Sequence, residues 1–283
     1  MGLLDDKHAV ITGAASGIGA ETARRFIAEG ATVVICDIDD DRGEALAKEL
    51  GERAAYVHVD VTEEGAIERA IKLSVEEFGG LDICFNNAGN PGTIGSILDA
   101  TVEGFDRTIA VHLKGVFLGI RAAGRVMVAQ GSGSIINTAS VAGLQANFAG
   151  HDYSAAKAAI IHLTETAANE LGESGVRVNA ICPGFIATPI FGRAAGLEGD
   201  QAQASIALME LSASEAAPIH RSGMPSDIAE AAIFLGSDRS SFVNGQRLAV
   251  DGGLTTGRLW RDSMKNAHEG LALIKAAVEA ADA

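Results

Sequence analysis

His8-Ala9-Val10-Ile11-Thr12-Gly13-Ala14-Ala15-Ser16-Gly17-Ile18-Gly19 joins a short apolar run to a glycine-rich turn, and helical spacing follows over 18–29. The first five residues suit a strand buried on both faces. Glycines at 13, 17 and 19 allow a tight turn and let the backbone approach a pyrophosphate closely. The helix that follows presents free N–H groups and the positive end of its dipole to such an anion. A glycine-rich run alone is weak evidence; the strand before it and the helix after it give it weight. Gly13, Ser16, Gly17, Ile18 and Gly19 are therefore candidate cofactor-binding residues.

The same alternation continues along the chain. Strands are expected at 8–12, 31–37, 54–60, 81–86, 134–140, 176–182 and 247–250. Helices are expected at 18–29, 40–50, 63–78, 102–129, 153–172 and 225–235. Short apolar strands separated by helices imply right-handed crossovers and a doubly wound α/β fold. The reading is a single domain over 1–253 with a mostly parallel seven-stranded sheet. Two stretches stand outside the alternation. One is 188–223, rich in Ala, Gly and Ser, and the other is 254–283, where Leu271, Ile274 and Val278 recur at helical spacing. Such a stripe is expected to pack against the domain or against another subunit.

Composition narrows the function. The chain has 283 residues, 47% of them hydrophobic, enough for a large core. A formal net charge of −15 argues against a nucleic-acid partner, which needs a basic face. Cys36, Cys84 and Cys182 lie far apart in apolar runs, as reduced buried thiols do, and no metal-ligand spacing is present. The first residues lack a signal-peptide pattern, and no apolar run approaches the ~20 residues that span a bilayer. A cytoplasmic protein without membrane contact is expected.

Tyr153 and Lys157 stand four residues apart, on one face of a helix about one turn from each other. A cation near a phenol favours the phenolate, making the tyrosine a usable proton donor and acceptor. Ser140 lies just upstream. Asp37 ends the second strand with Ile38 beside it, where a carboxylate can accept bonds from the ribose hydroxyls of NAD and repel a 2′-phosphate. Arg42 comes late and Ser16 carries no charge, so the local sequence places no base near Asp37 and favours NAD over NADP. Asp60-Val61 and Asn87-Ala88-Gly89 follow the third and fourth strands, at the carboxyl ends where open α/β sheets bind ligands.

With these residues assembled, the chain resembles the short-chain dehydrogenase/reductase family over about 4–253. The glycine turn, Asn87-Ala88-Gly89, the trio Ser140, Tyr153 and Lys157, Pro183-Gly184 with Thr188, and Asp251-Gly252-Gly253 all match family motifs. The resemblance implies a Rossmann-like fold and an NAD-dependent alcohol dehydrogenase. Tyr153 would be the acid/base, Lys157 would lower its pKa and bond the nicotinamide ribose, and Ser140 would bond the substrate oxygen. Pro183, Gly184, Ile186 and Thr188 would contact the nicotinamide. The family commonly has asparagine on its long central helix where this chain has His112, a residue of a type that titrates near neutral pH, expected either to support a water-linked proton relay or only to pack and satisfy a local bond. The segment 188–223 would be a substrate lid. With Leu144, His151, Phe185, Ile190 and Phe191 lining the pocket, the substrate would be a bulky, apolar secondary alcohol or its ketone, cis-dihydrodiols and hydroxysteroids included. A catalytically inactive NAD-binding regulator is the rival reading. Family members are usually dimers or tetramers, and a homotetramer is expected here by resemblance.

Overall fold

The computed structural model describes residues 2–212 and 217–281. Seven strands form one sheet: β1 (His8–Thr12), β2 (Thr32–Asp37), β3 (Ala54–His58), β4 (Ile83–Asn86), β5 (Gly133–Thr138), β6 (Val176–Pro183) and β7 (Arg247–Val250). Their order is β3-β2-β1-β4-β5-β6-β7. Every pair is parallel, so the expected doubly wound sheet is present and, among the described residues, all parallel. The order reverses between β1 and β4, which opens a crevice at the carboxyl ends of those strands.

The helices are α1 (Gly17–Ala28), α2 (Asp40–Leu50), α3 (Glu64–Leu73), α4 (Val102–Ile109), α5 (Gly115–Gln130), α6 (His151–Gly172), α7 (Ile190–Ala194), α8 (Gly199–Ala204), α9 (Ile206–Ser212), α10 (Pro225–Gly236) and α11 (Trp260–Ala281). Successive strand residues point to opposite faces, and both faces are covered. Val10, Val34, Cys84 and Ile135 pack with Ile67, Val116, Met127 and Ile160 from α3, α5 and α6. Ile11, Ile35, Phe85 and Ile136 pack with Ala23, Phe26, Ile228 and Ile233 from α1 and α10. The three cysteines are buried and free.

Two expected helices are interrupted. The helix expected over 102–129 is α4 and α5 joined by a π-helical turn at Ala110–Lys114, and α3 passes into another at Ser74–Phe78. A π turn widens one coil by a residue and often marks a functional place in a helix; the first of these carries His112. A polar ladder runs inside the sheet. Asn86 Nδ2 donates to Asn137 Oδ1 at 2.9 Å, and Asn137 Nδ2 donates to Thr164 Oγ1 at 2.9 Å. Buried amides satisfied in this way fix the registration of β4, β5 and α6.

The stretch 188–223 contains α7, α8 and α9, and its residues 213–216 lie outside the described residues, as do 282 and 283 at the end of the C-terminal extension. Its two ends are tied together: Ala187 N donates to Gly223 O at 2.8 Å, and Gly223 N donates to Phe185 O at 2.9 Å. The extension contains α11, whose Trp260, Leu271, Ile274 and Val278 are all exposed. The apolar stripe, expected to pack on the domain or on another subunit, is left exposed at Leu271, Ile274 and Val278 among the described residues.

Phe85 is fully buried between the sheet and α10. Phe85→Ala removes a ring the surroundings cannot replace and is expected to cost about 3–5 kcal/mol. Chemical denaturation of the two proteins measures the difference.

Candidate active site

The glycine turn is held from both sides. Gly13 adopts φ 65°, and a Cβ there would meet the Ala88 Cα at 2.7 Å. A Cβ on Gly19 would lie 2.3 Å from the Gly13 carbonyl oxygen. The backbone can therefore come this close to β4 and to itself only with glycine. The Asn87 and Ala88 amides donate to Thr12 Oγ1 at 3.0 and 3.1 Å, and Asn87 Nδ2 donates to the Thr12 carbonyl at 3.1 Å. Ser16 caps α1 without a side-chain bond to it, and Ile18 lies in its first turn. Thr188, from beyond β6, is buried with its methyl group 3.4 Å from where a Gly17 Cβ would stand.

Asp37 stands beside this turn. Its Oδ2 accepts from Ala15 N at 2.9 Å, and its Oδ1 accepts from Ile38 N at 2.8 Å. Ile38 leaves its side chain 65% exposed beside that carboxylate. Asp60 uses Oδ1 to accept from Thr62 N at 2.8 Å, while Val61 packs in the core. The fold corrects one expectation: bases do reach this region. Arg193 Nη2 donates to Ser16 Oγ at 3.4 Å. Arg24 and Arg42 line a cavity of about 540 Å³ together with Ser16 and Gly17. Their charges are engaged, Arg24 with Glu49 at 2.7 Å and Arg42 with Asp200 at 3.5 Å. These arginines are distant in sequence and converge only in the folded chain.

Ser140, Tyr153 and Lys157 converge at the end of β5. Ser140 Oγ accepts from Ala142 N at 3.1 Å, which orients the hydroxyl at the start of a short turn. Burial pushes the Tyr153 phenol up to about 12, and a hydrogen bond with Ser140 works in the opposite direction. Lys157 Nζ lies 5.3 Å from the centre of the Tyr153 ring and donates to the Thr138 carbonyl at 2.7 Å. Burial pushes this ammonium down to about 7. The expected lowering of the tyrosine by Lys157 is not seen in the chain by itself, where burial holds the phenol high.

His112 differs from its sequence expectation. Burial, together with the Lys157 charge, pushes its ring down to about 3, so it stays neutral through the physiological range. Nε2 lies 2.9 Å from the Asn90 carbonyl oxygen and also within 3.2 Å of the Asn90 amide N–H, so either ring tautomer finds a partner there. Nδ1 is buried with no partner among the described residues. The ring meets Tyr153 edge-on at 5.0 Å and lies under Gly89, where a Cβ would stand 2.7 Å from its Cε1.

On the far side, Pro183 ends β6 and Gly184 N donates to Val250 O at 3.1 Å. The Ile186 side chain belongs to the core, so only its backbone is left to face a ligand. Phe185 meets Phe191 at 6.2 Å and Phe148 at 6.3 Å, forming an aromatic cluster at the mouth of 188–223. Ile190 is half-buried at the start of α7. Leu144 packs against the core, and His151 is exposed at the first position of α6.

Sequence reasoning passed over Asp152. It is only 4% exposed, and it accepts from Thr93 N at 3.0 Å, Tyr153 N at 2.8 Å and Thr108 Oγ1 at 2.7 Å. Burial works to raise its carboxyl, but the bonds from Thr108 and Thr93 outweigh it and hold the group below the usual carboxylate range. The signal was an acid in the first turn of the helix that carries Tyr153. Asp152 pins the loop 90–93, which bears Asn90, against α4 and α6. Asp152→Ala leaves buried donors unpaired and is expected to cost about 3 kcal/mol, with Asp152→Asn costing less; urea unfolding curves compare the three proteins.

The comparisons agree with this geometry. A family model described as Enoyl-(Acyl carrier protein) reductase matches residues 13–255. Momilactone A synthase of Oryza sativa subsp. japonica is 45% identical over 253 residues, 88% of this chain and 90% of that protein. Tropinone reductase-like 2 of Erythroxylum coca is 41% identical over 88% of this chain and 90% of that protein. A 3-alpha-(or 20-beta)-hydroxysteroid dehydrogenase of Mycobacterium bovis is 40% identical over 92% of this chain and 94% of that protein. An all-parallel seven-stranded sheet, a glycine turn braced by Asn87, a Tyr–Lys pair one helical turn apart and these matches have one explanation: the chain belongs to the short-chain dehydrogenase/reductase family.

Proposed function

We propose that this oxidoreductase uses NAD to interconvert a bulky, mostly apolar secondary alcohol and its ketone. The observation that carries the reading is the convergence of the Tyr153 phenol, the Ser140 hydroxyl and the Lys157 ammonium at one strand end. Tyr153 takes the hydroxyl proton in oxidation and returns it in reduction. Ser140 bonds the substrate oxygen and fixes its orientation. Lys157, anchored through Thr138, bonds ribose hydroxyls and supplies the positive charge that favours phenolate during turnover. The nicotinamide, when bound, supplies the hydride chemistry. The residues fit such a group: the turn at Gly13 and Gly19 has no room for side chains, and the neighbouring helix end suits a pyrophosphate. His112 stays neutral, so its part is to floor the site and to offer Nδ1 as an acceptor for a proton relay.

NAD is favoured over NADP by Asp37, whose carboxylate is held against the turn by the Ala15 amide. Arg24 and Arg42 are already paired with carboxylates, which leaves Arg193, bonded to Ser16 Oγ, to offset part of the repulsion between Asp37 and a 2′-phosphate. The aromatic trio Phe148, Phe185 and Phe191 supports an apolar substrate, with 188–223 as a lid over it. The resemblance to a hydroxysteroid dehydrogenase favours polycyclic alcohols within that class. Among the described residues no helix is long and apolar enough to cross a membrane. The chain acts on small molecules, in the cytoplasm, as a homo-oligomer.

Tyr153→Phe is expected to lower kcat at least about 100-fold while leaving NADH binding, read by fluorescence, nearly unchanged; retained turnover would remove Tyr153 as the acid/base. Oxidation should speed up as the pH is raised into the alkaline range, because the phenol must lose its proton, and ketone reduction should slow over the same range. Asp37→Ala is expected to raise the KM for NAD about tenfold and to narrow its lead over NADP. An unchanged ratio of the two kcat/KM values would overturn the assignment of Asp37.

A further inference from the structure

Asp152 is a buried carboxylate directly before the candidate acid/base, and its partners are all donors. Oδ1 accepts from Tyr153 N at 2.8 Å, and Oδ2 accepts from Thr108 Oγ1 at 2.7 Å and from Thr93 N at 3.0 Å. A carboxylate can accept from all of them and brings no hydrogen of its own. Burying a charge is costly even when it is hydrogen-bonded. What this charge secures is the placement of the loop 90–93.

That loop runs between the two halves of the site. It continues from Asn87-Ala88-Gly89, which is bonded to the nucleotide turn through Thr12, and comes to rest on the first turn of α6. The approach is close. Gly92 adopts φ 71°, and a Cβ there would stand 2.9 Å from the Tyr153 Cβ. A Cβ on Gly150 would stand 1.9 Å from the Thr93 carbonyl oxygen. Asn90 meets the His112 ring at Nε2, and Asn90 Oδ1 accepts from Gly92 N at 3.0 Å. The Gly92 backbone thus walls Tyr153 on one side, while Asn90 holds the ring that meets Tyr153 edge-on. His112 also feels two charges of opposite sign, Lys157 pushing its ring down and Asp152 pulling it up.

We infer that Asp152 is a positioning residue for proton transfer, holding the loop 90–93 against Tyr153 and His112 through the Thr93 amide. The inference rests on the dehydrogenase reading above and adds a residue that acts through its neighbours and not on the substrate.

Asp152→Asn separates the roles of this carboxylate. The amide oxygen can keep the bond from Tyr153 N. The new NH2 group can face Thr108, whose hydroxyl already has the Gly104 carbonyl at 2.9 Å as a second acceptor. The Thr93 amide then meets a hydrogen in place of a lone pair. The loop is released while the helix start stays bonded. Gly150→Ala displaces the same loop by contact with the Thr93 carbonyl and leaves the carboxylate in place.

Both variants are compared with the parent using NAD and a hydroxysteroid, with active sites counted by NADH fluorescence titration and Tyr153→Phe run alongside. In each variant kcat per site is expected to fall about tenfold, with the KM for NAD within about twofold of the parent. Parent activity lost in Tyr153→Phe, together with an unchanged kcat per site in both variants, would overturn the role of Asp152 alone, even if their melting temperatures fall. A KM for NAD that rises in step with the loss of kcat would also overturn it, because the loop would then act on the cofactor. Turnover that survives in Tyr153→Phe would overturn the dehydrogenase reading and this inference with it.

Discussion

The hydrogen bond from the buried Lys157 ammonium to the Thr138 carbonyl holds the site together. A charge taken out of water must find partners inside the protein, and here it finds the last carbonyl of β5. That bond joins α6 to the sheet. Thr138 in turn donates through Oγ1 to Asn87 Oδ1 at 3.3 Å, and Asn87 grips the glycine turn through Thr12 and Gly13. One short chain of contacts therefore sets the distance between the candidate proton donor and the nucleotide turn. Neither end can shift without breaking a buried polar contact.

Most of the fold was legible because the sheet is buried on both faces. Runs such as Val33-Val34-Ile35-Cys36 have no polar alternation to blur them, and the glycine turn marks where the first strand stops. Positions were less legible where tertiary contacts overrule local pattern. The segment 102–129 reads as one helix because a π turn leaves helical periodicity nearly intact on either side. Arg42 and Arg193 looked irrelevant to Ser16 because their approach depends on α2 and α7 folding over the turn. The exposure of α11 was hidden for the opposite reason: periodicity reports an apolar stripe without saying what covers it.

The trio itself was readable by spacing, whereas its support was not. Asp152, Asn90, Thr93 and Thr108 are ordinary residues in the linear chain. They matter because the loop 90–93 returns to the start of α6 and needs its amides satisfied there. Spacing also said nothing about electrostatics. Tyr153, Lys157 and His112 all depart from their usual ranges mainly through burial, and burial belongs to the packed molecule and cannot be read from any one segment.

The tied ends of the 188–223 segment bear on how such proteins diversify. Two backbone hydrogen bonds between 185–187 and 223 close the segment at its base, so its inner residues hang from a fixed frame. Changing the length of an already closed loop carries a small entropic penalty that grows only with the logarithm of that length. Thr188 and Arg193 at the start of the segment reach the glycine turn, at Gly17 and Ser16, and belong to the frame and not to its variable part. Selection can therefore vary the rest of the segment while the sheet, the glycine turn and the closing bonds are inherited intact.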